Sequence, residues 1–132
     1  MATLLCHIEI NPGKEPEFER VMKEMYRRTH AEEPNCVRYE YFRAAQPGKY
    51  YSLLSFTDSV AFWEHQISDY HEGFDFASMI KSLDMEWVDP VADASPLITT
   101  KSTELPEEAE DLVKTAAQTY PVSEQPWWKQ YL

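Results

Sequence analysis

The residues with the greatest chemical capacity crowd into one stretch, Phe62-Trp63-Glu64-His65-Gln66-Ile67-Ser68-Asp69-Tyr70-His71. Two of the chain's four histidines lie here, with a tryptophan, a tyrosine and a serine. An imidazole titrates near pH ~6.5, so His65 can take up or release a proton close to neutrality and is the leading candidate for a general base. The competing reading is a structural histidine that hydrogen-bonds the next loop. His71 and Tyr70 are the alternatives from the adjoining loop, and only one of the two can readily point inward with His65. Ser68 suits a helix-ending cap better than a nucleophile, because no Ser-His-acid spacing accompanies it. His65 and His71 with Glu64, Asp69 or Glu72 match no familiar ligand spacing, so no metal is expected. The stretch is expected to wall a cavity that the rest of the chain covers.

The elements that must position it follow from periodicity. Thr3 to Ile10 alternates as a strand, with Leu4, Cys6, Ile8 and Ile10 on one face and Thr3, Leu5, His7 and Glu9 on the other. After Asn11-Pro12-Gly13, the residues Phe18, Val21, Met22, Met25, Tyr26 and Thr29 keep the spacing of an amphipathic helix that Pro34 stops. Val37 to Ala44 reads as a second strand, with Val37, Tyr39 and Tyr41 opposite Arg38 and Glu40. Gln46-Pro47-Gly48-Lys49 turns it into a third, Tyr50 to Phe56, apolar on both faces and therefore covered on both. Thr57 or Asp58 caps a helix carrying Val60, Trp63 and Ile67, broken near Ser68-Asp69. A further helical piece is expected over Glu72 to Leu83 and a fourth strand over Asp84 to Val91, at or near an edge because of Pro90.

The order β-α-β-β-α-β is the split arrangement of ferredoxin-like α+β folds: a four-stranded antiparallel sheet with helices on one face. The bare face predicts a face-to-face homodimer. The first domain is placed at residues 1–95 and a C-terminal extension at 96–132. In that extension Pro106 to Tyr120 is expected to form a helix, and the tail Pro126-Trp127-Trp128-Lys129-Gln130-Tyr131-Leu132 is expected to pack on its own body or across the dimer.

Composition narrows the function. The formal charge of −11 disfavours nucleic acid and anionic membranes, both of which need a basic surface. No apolar run reaches the ~20 residues of a spanning helix and no signal-peptide pattern is visible, which predicts a cytoplasmic protein. Cys6 and Cys36 form no C-x-x-C pair and read as reduced, mostly buried thiols. His7 reads as a polar residue between two sheets, in a structural role.

Four motifs in order carry a family likeness: Asn11-Pro12-Gly13-Lys14-Glu15, Glu33-Pro34-Asn35-Cys36, Ser55-Phe56-Thr57-Asp58, and Phe62 through Ser68. Over roughly residues 2–92 the chain resembles the antibiotic biosynthesis monooxygenase family, of dimeric α+β barrel fold. The resemblance implies a dimeric barrel and, in its oxygenase members, an electron-rich substrate that is deprotonated and itself reduces dioxygen, without metal or flavin. No cofactor is therefore expected. Members often carry a histidine five positions after the one matching His65; Tyr70 stands there, with His71 one later. Haem-degrading members place an asparagine near Cys6 and a tryptophan at the position of Phe56, and both are missing.

Two functions of different class are compatible with these residues. One is a cofactor-independent monooxygenase of a small phenolic, quinol or polyketide-like compound. Its catalytic candidates are His65, His71 and Tyr70, and its pocket candidates Trp63, Phe56, Ile67, Tyr39 and Tyr41. The other is a non-catalytic dimeric barrel that binds a small molecule or a protein partner. A closed apolar pocket reaching His65 favours the first; a pocket filled by the protein's own side chains rules it out.

Overall fold

The structure is a computed structural model that describes residues 1–131; Leu132, the last residue of the expected tail, lies outside the described residues. Four antiparallel strands form one sheet in the order β2-β3-β1-β4: β1 (Ala2–Ile10), β2 (Cys36–Arg43), β3 (Lys49–Phe56) and β4 (Ile80–Trp87). The expected antiparallel α+β sheet is therefore present. Leu4, Cys6, Ile8 and Ile10 turn from β1 toward the helices and are buried there. They meet Phe18, Val21, Met22 and Met25 of helix α1 (Glu15–Glu32), whose apolar stripe follows the helical repeat. On β3, Tyr50, Ser52, Leu54 and Phe56 face the same core.

β2 departs from simple alternation. Cys36 pairs with Phe56 but Arg38 pairs with Ser55, so Val37 is an extra residue in a β-bulge. The bulge carries Val37 outward, 41% exposed, whereas Tyr39 two residues on is buried. Val37 and Tyr39 thus do not share a face as strict alternation predicts.

The segment after β3 is shorter in helix than expected. Asp58 caps α2 (Ser59–Gln66) by accepting a hydrogen bond from the Ala61 amide at 2.9 Å. Ser68 ends it: its hydroxyl donates to the His65 carbonyl at 2.8 Å. Two single-turn helices follow, α3 (Asp69–Glu72) and α4 (Phe76–Met79). The chain then enters β4 at Ile80, so the helix expected over Glu72 to Leu83 gives way to a strand that starts earlier and ends at Trp87. The reason is partnership: Ile80, Leu83 and Met85 find places opposite Ile10, Ile8 and Cys6 of β1, and a strand at the free edge of β1 satisfies that strand's hydrogen bonds.

The C-terminal arm packs on its own body. Lys101 donates its amide to the Met1 carbonyl and Thr103 its amide to the Ser59 hydroxyl. Helix α5 (Asp111–Thr119), shorter than the expected 106–120, buries Val113 and Ala116 and lies beside α2. A 3₁₀ turn over Pro126–Tyr131 closes the described chain. On the sheet face away from the helices, Tyr51 and Phe42 are 41% and 49% exposed.

Candidate functional site

His65 lies on the last turn of α2 and is 1% exposed. Its ring is enclosed by four others, with centroids at 5.1 Å to Tyr39, 5.4 Å to Phe56, 6.3 Å to Tyr70 and 5.1 Å to His71. One ring nitrogen, Nδ1, lies 2.8 Å from Glu33 Oε2. A carboxylate can only accept, so Nδ1 carries the proton, and in the neutral form of the ring the lone pair is on Nε2. That Nε2 atom is buried and has no partner. A buried polar atom without a partner needs an explanation.

Glu33 reaches His65 because of Pro34. The residue before a proline is pushed out of the α region, and Glu33 adopts φ −117° and ψ 92° as α1 ends. Its backbone amide still closes the helix on Thr29, while its side chain crosses to α2.

Tyr70 and His71 follow on α3, one helical step apart, and part company there. The Tyr70 hydroxyl pairs with Thr29 Oγ1 at 3.1 Å and Arg28 lies over its ring at 4.6 Å. Tyr70 therefore faces α1 and braces it. His71 faces the cavity, with Phe76 at 5.2 Å. Its Nδ1 is also buried and unpartnered. Burial first, and the nearby His65 second, lower the His71 pKa to about 4, so the ring is neutral at pH 7.

The cavity has a volume of about 240 Å³ and lies between the sheet and the layer of α1, α2 and α4. Cys6, Ile8, Ser52 and Leu54 of the sheet line it with Tyr39 and Tyr41, His65 and His71 look into it from the helix side, and Phe76, Leu83, Met85 and Tyr120, all partly exposed, complete its lining toward solvent. Four larger surface hollows elsewhere have no histidine among the described residues that line them. The Tyr39 and Tyr41 hydroxyls are 2.8 Å apart. Burial raises both phenol pKa values, so both keep their protons, and only one of the two hydrogens is used between them. Cys6 is held as a neutral thiol by its burial.

Of the pocket candidates, Tyr39 and Tyr41 line the cavity. Phe56, Trp63 and Ile67 do not: Phe56 backs the His65 ring, and Trp63 turns to the arm, donating its indole N–H to the Tyr120 carbonyl at 2.9 Å. Two site residues escaped the sequence reading. Glu33 carried one available signal, an acidic side chain released by a following proline; Tyr120 carried none, because nothing local places a residue from the arm beside α2. His7, on the opposite sheet face, meets Glu86 at 3.2 Å and Tyr51 edge-on. Among the described residues no group of three or more His, Cys, Asp and Glu could hold a metal ion, and no helix is long and apolar enough to cross a membrane.

Comparison with known proteins bears on this geometry. The sequence model of a family described as antibiotic biosynthesis monooxygenase matches residues 1–75. No curated protein matches the chain in sequence. PA3566 from Pseudomonas aeruginosa is similar in structure, with TM-score 0.64 and 19% identity over 69% of this chain and 94% of its own. A Caulobacter crescentus CB15 protein, provisionally designated an antibiotic biosynthesis monooxygenase, gives TM-score 0.63 and 26% identity over 68% of this chain and 89% of its own. Rv0793 from Mycobacterium tuberculosis gives TM-score 0.64 and 16% identity over 71% of this chain and 98% of its own.

Proposed function

Since the chain belongs to the antibiotic biosynthesis monooxygenase family, we propose that it is a monooxygenase of a small aromatic compound and that His65 is its general base. The observation that carries this reading is the buried Nε2 of His65, without a partner while Nδ1 is fixed on Glu33, at the wall of a cavity. A cavity of this size, near the lower limit of ~300 Å³ for small-molecule sites, suits a compact planar molecule.

The chemistry follows from the groups present. His65 Nε2 removes a proton from a phenolic or quinol-like substrate, and the Glu33 carboxylate stabilises the imidazolium that forms. The free hydrogen of the Tyr39–Tyr41 pair donates to a substrate oxygen on the sheet side, where negative charge develops. The electron-rich anion passes one electron to dioxygen, and the substrate radical and superoxide join to form a peroxide. At a CH₂ carbon the peroxide then loses water, so that CH₂ and O₂ become C=O and H₂O. The substrate is the reductant, and no cofactor enters the balance. Neutral His71 flanks the base as a second acceptor. The open sheet face, with Tyr51 and Phe42, supports a face-to-face homodimer as the working unit.

Oxygen uptake tests this with a panel of anthrones and quinols. His65→Ala is expected to lower the rate by roughly 10²–10⁴-fold, and Glu33→Ala to lower it less while shifting the pH profile. Uptake unchanged in His65→Ala removes His65 from the mechanism. Tight binding of the panel with no uptake by the native protein favours the non-catalytic reading.

A further inference from the structure

The family match ends at residue 75, and the three relatives, aligned over 89–98% of their own lengths, account for 68–71% of this chain. The arm therefore adds to a domain that the relatives build without it. It also adds to the cavity: Tyr120, at the end of α5, completes the lining toward solvent with Met85 and Leu83. Its ring meets Phe62 edge-on at 6.0 Å.

The attachment is specific. Trp63 donates its indole N–H to the Tyr120 carbonyl at 2.9 Å, and Trp87 donates its own to the Pro121 carbonyl at 3.0 Å. Two indoles, one from α2 and one from β4, thus hold consecutive carbonyls of the arm. Between them they fix the peptide groups on both sides of Pro121. Surface packing of α5 through Val113 and Ala116 does not require this registration. Leu83, another lining residue, is 49% exposed, so the cavity opens to solvent, and Tyr120 is the lining residue that the arm contributes.

We propose that the arm sets the size of the molecule that the cavity admits, with Tyr120 as the specificity-determining residue at its mouth. The inference rests on the cavity being the ligand site, as in the function proposed above, but not on oxygenation. A protein without the Tyr120 ring has a cavity that continues outward along Phe62, and so accepts longer ring systems.

The test is binding under nitrogen, read by quenching of tryptophan fluorescence, with 1-naphthol, anthrone and tetracenone as probes of increasing length. The native protein is expected to bind tetracenone at least about tenfold more weakly than anthrone. Tyr120→Ala is expected to remove most of that discrimination, with tetracenone gaining about tenfold and 1-naphthol unchanged or weaker. Tyr120→Phe, which keeps the ring, should retain the native order. A merely structural role for Tyr120 shifts all three probes by one factor, and that result overturns the proposal. So does an unaltered order in Tyr120→Ala, or no binding of any probe to either protein. Should Tyr120→Ala lose its cooperative melting transition, Tyr120→Leu carries the same comparison. Oxygen uptake measured separately distinguishes the readings: the expected binding order without uptake defeats the oxygenase and leaves this inference standing.

Discussion

Glu33 and His71 show how far single residues could be read. The imidazole at position 65 is conspicuous in the sequence, and its neighbourhood of aromatic residues pointed to a wall or a core. Its partner is not conspicuous, because Glu33 lies 32 positions away and meets it only after α1 and α2 are packed. For Tyr70 and His71, sequence spacing let only one of the two point inward with His65 and did not say which: one helical step sends Tyr70 to Thr29 and His71 to the cavity. His71 yields a prediction at this scale. Its pKa is lowered to about 4 in the folded protein, against about 6.5 in an unfolded chain. Between those values the unfolded chain binds more protons, so stability rises with pH across this window and is fully present above pH ~6.5. Acidification from pH 7 to pH 5 should cost the native protein on the order of 1–2 kcal/mol through this group. Urea unfolding of the native protein and of His71→Asn at both pH values measures it; equal losses would refute the assignment.

Among elements, α1 was legible with its buried face, whereas α2 was legible in its place, its cap and its end but not in the face it buries. The stripe of Phe18, Val21, Met22 and Met25 repeats cleanly because only one side of α1 is covered. α2 buries Ser59, Ala61, Phe62, Trp63, His65 and Gln66, residues from nearly every side, because the sheet lies on one side and α5 on the other. Covering on all sides erases the periodic signal that sequence reading depends on. β4 was displaced for a related reason, since Phe76 to Leu83 suits a helix locally and only the unpaired edge of β1 makes Ile80–Leu83 a strand. The joint between α2 and the arm can be tested through Trp63→Phe, which keeps one aromatic ring and removes the N–H bonded to Tyr120. The expected cost in urea unfolding is ~1 kcal/mol for the hydrogen bond, with the packing lost from the second ring added to it. A variant as stable as the native protein would mean that this bond contributes nothing.

At the scale of the molecule, both the charge and the uncovered sheet face bear on assembly. The sequence showed that one layer of helices could cover only one face, and the row Glu40, Leu53, Leu5 and Glu86 crosses the other in the observed register. Leu5 and Leu53 form the apolar centre of that row, and Thr3 and Ser55 bond each other at 2.9 Å beside it. If two copies meet through this face, Leu53→Asp places a carboxylate where apolar surface must pair. Sedimentation should then report a monomer for the variant and a dimer for the native protein; equal masses would dismiss the face as the interface. The arm was legible as a segment and even as a helix, but its place was not. Only the assembled fold brings Trp63 and Trp87 together to receive it.

The bulge at Val37 also bears on how these molecules behave in a crowd. β2 is an outer strand of the sheet, and an uninterrupted outer strand is a template on which further chains can add without limit. At Val37 the rung spacing breaks, and the paired charges of Arg38 and Glu40, 2.7 Å apart, occupy the rungs that follow. An incoming strand finds neither a continuous ladder nor an uncharged one. At this edge of the sheet, one misfit residue and two paired charges work against the addition of a further strand.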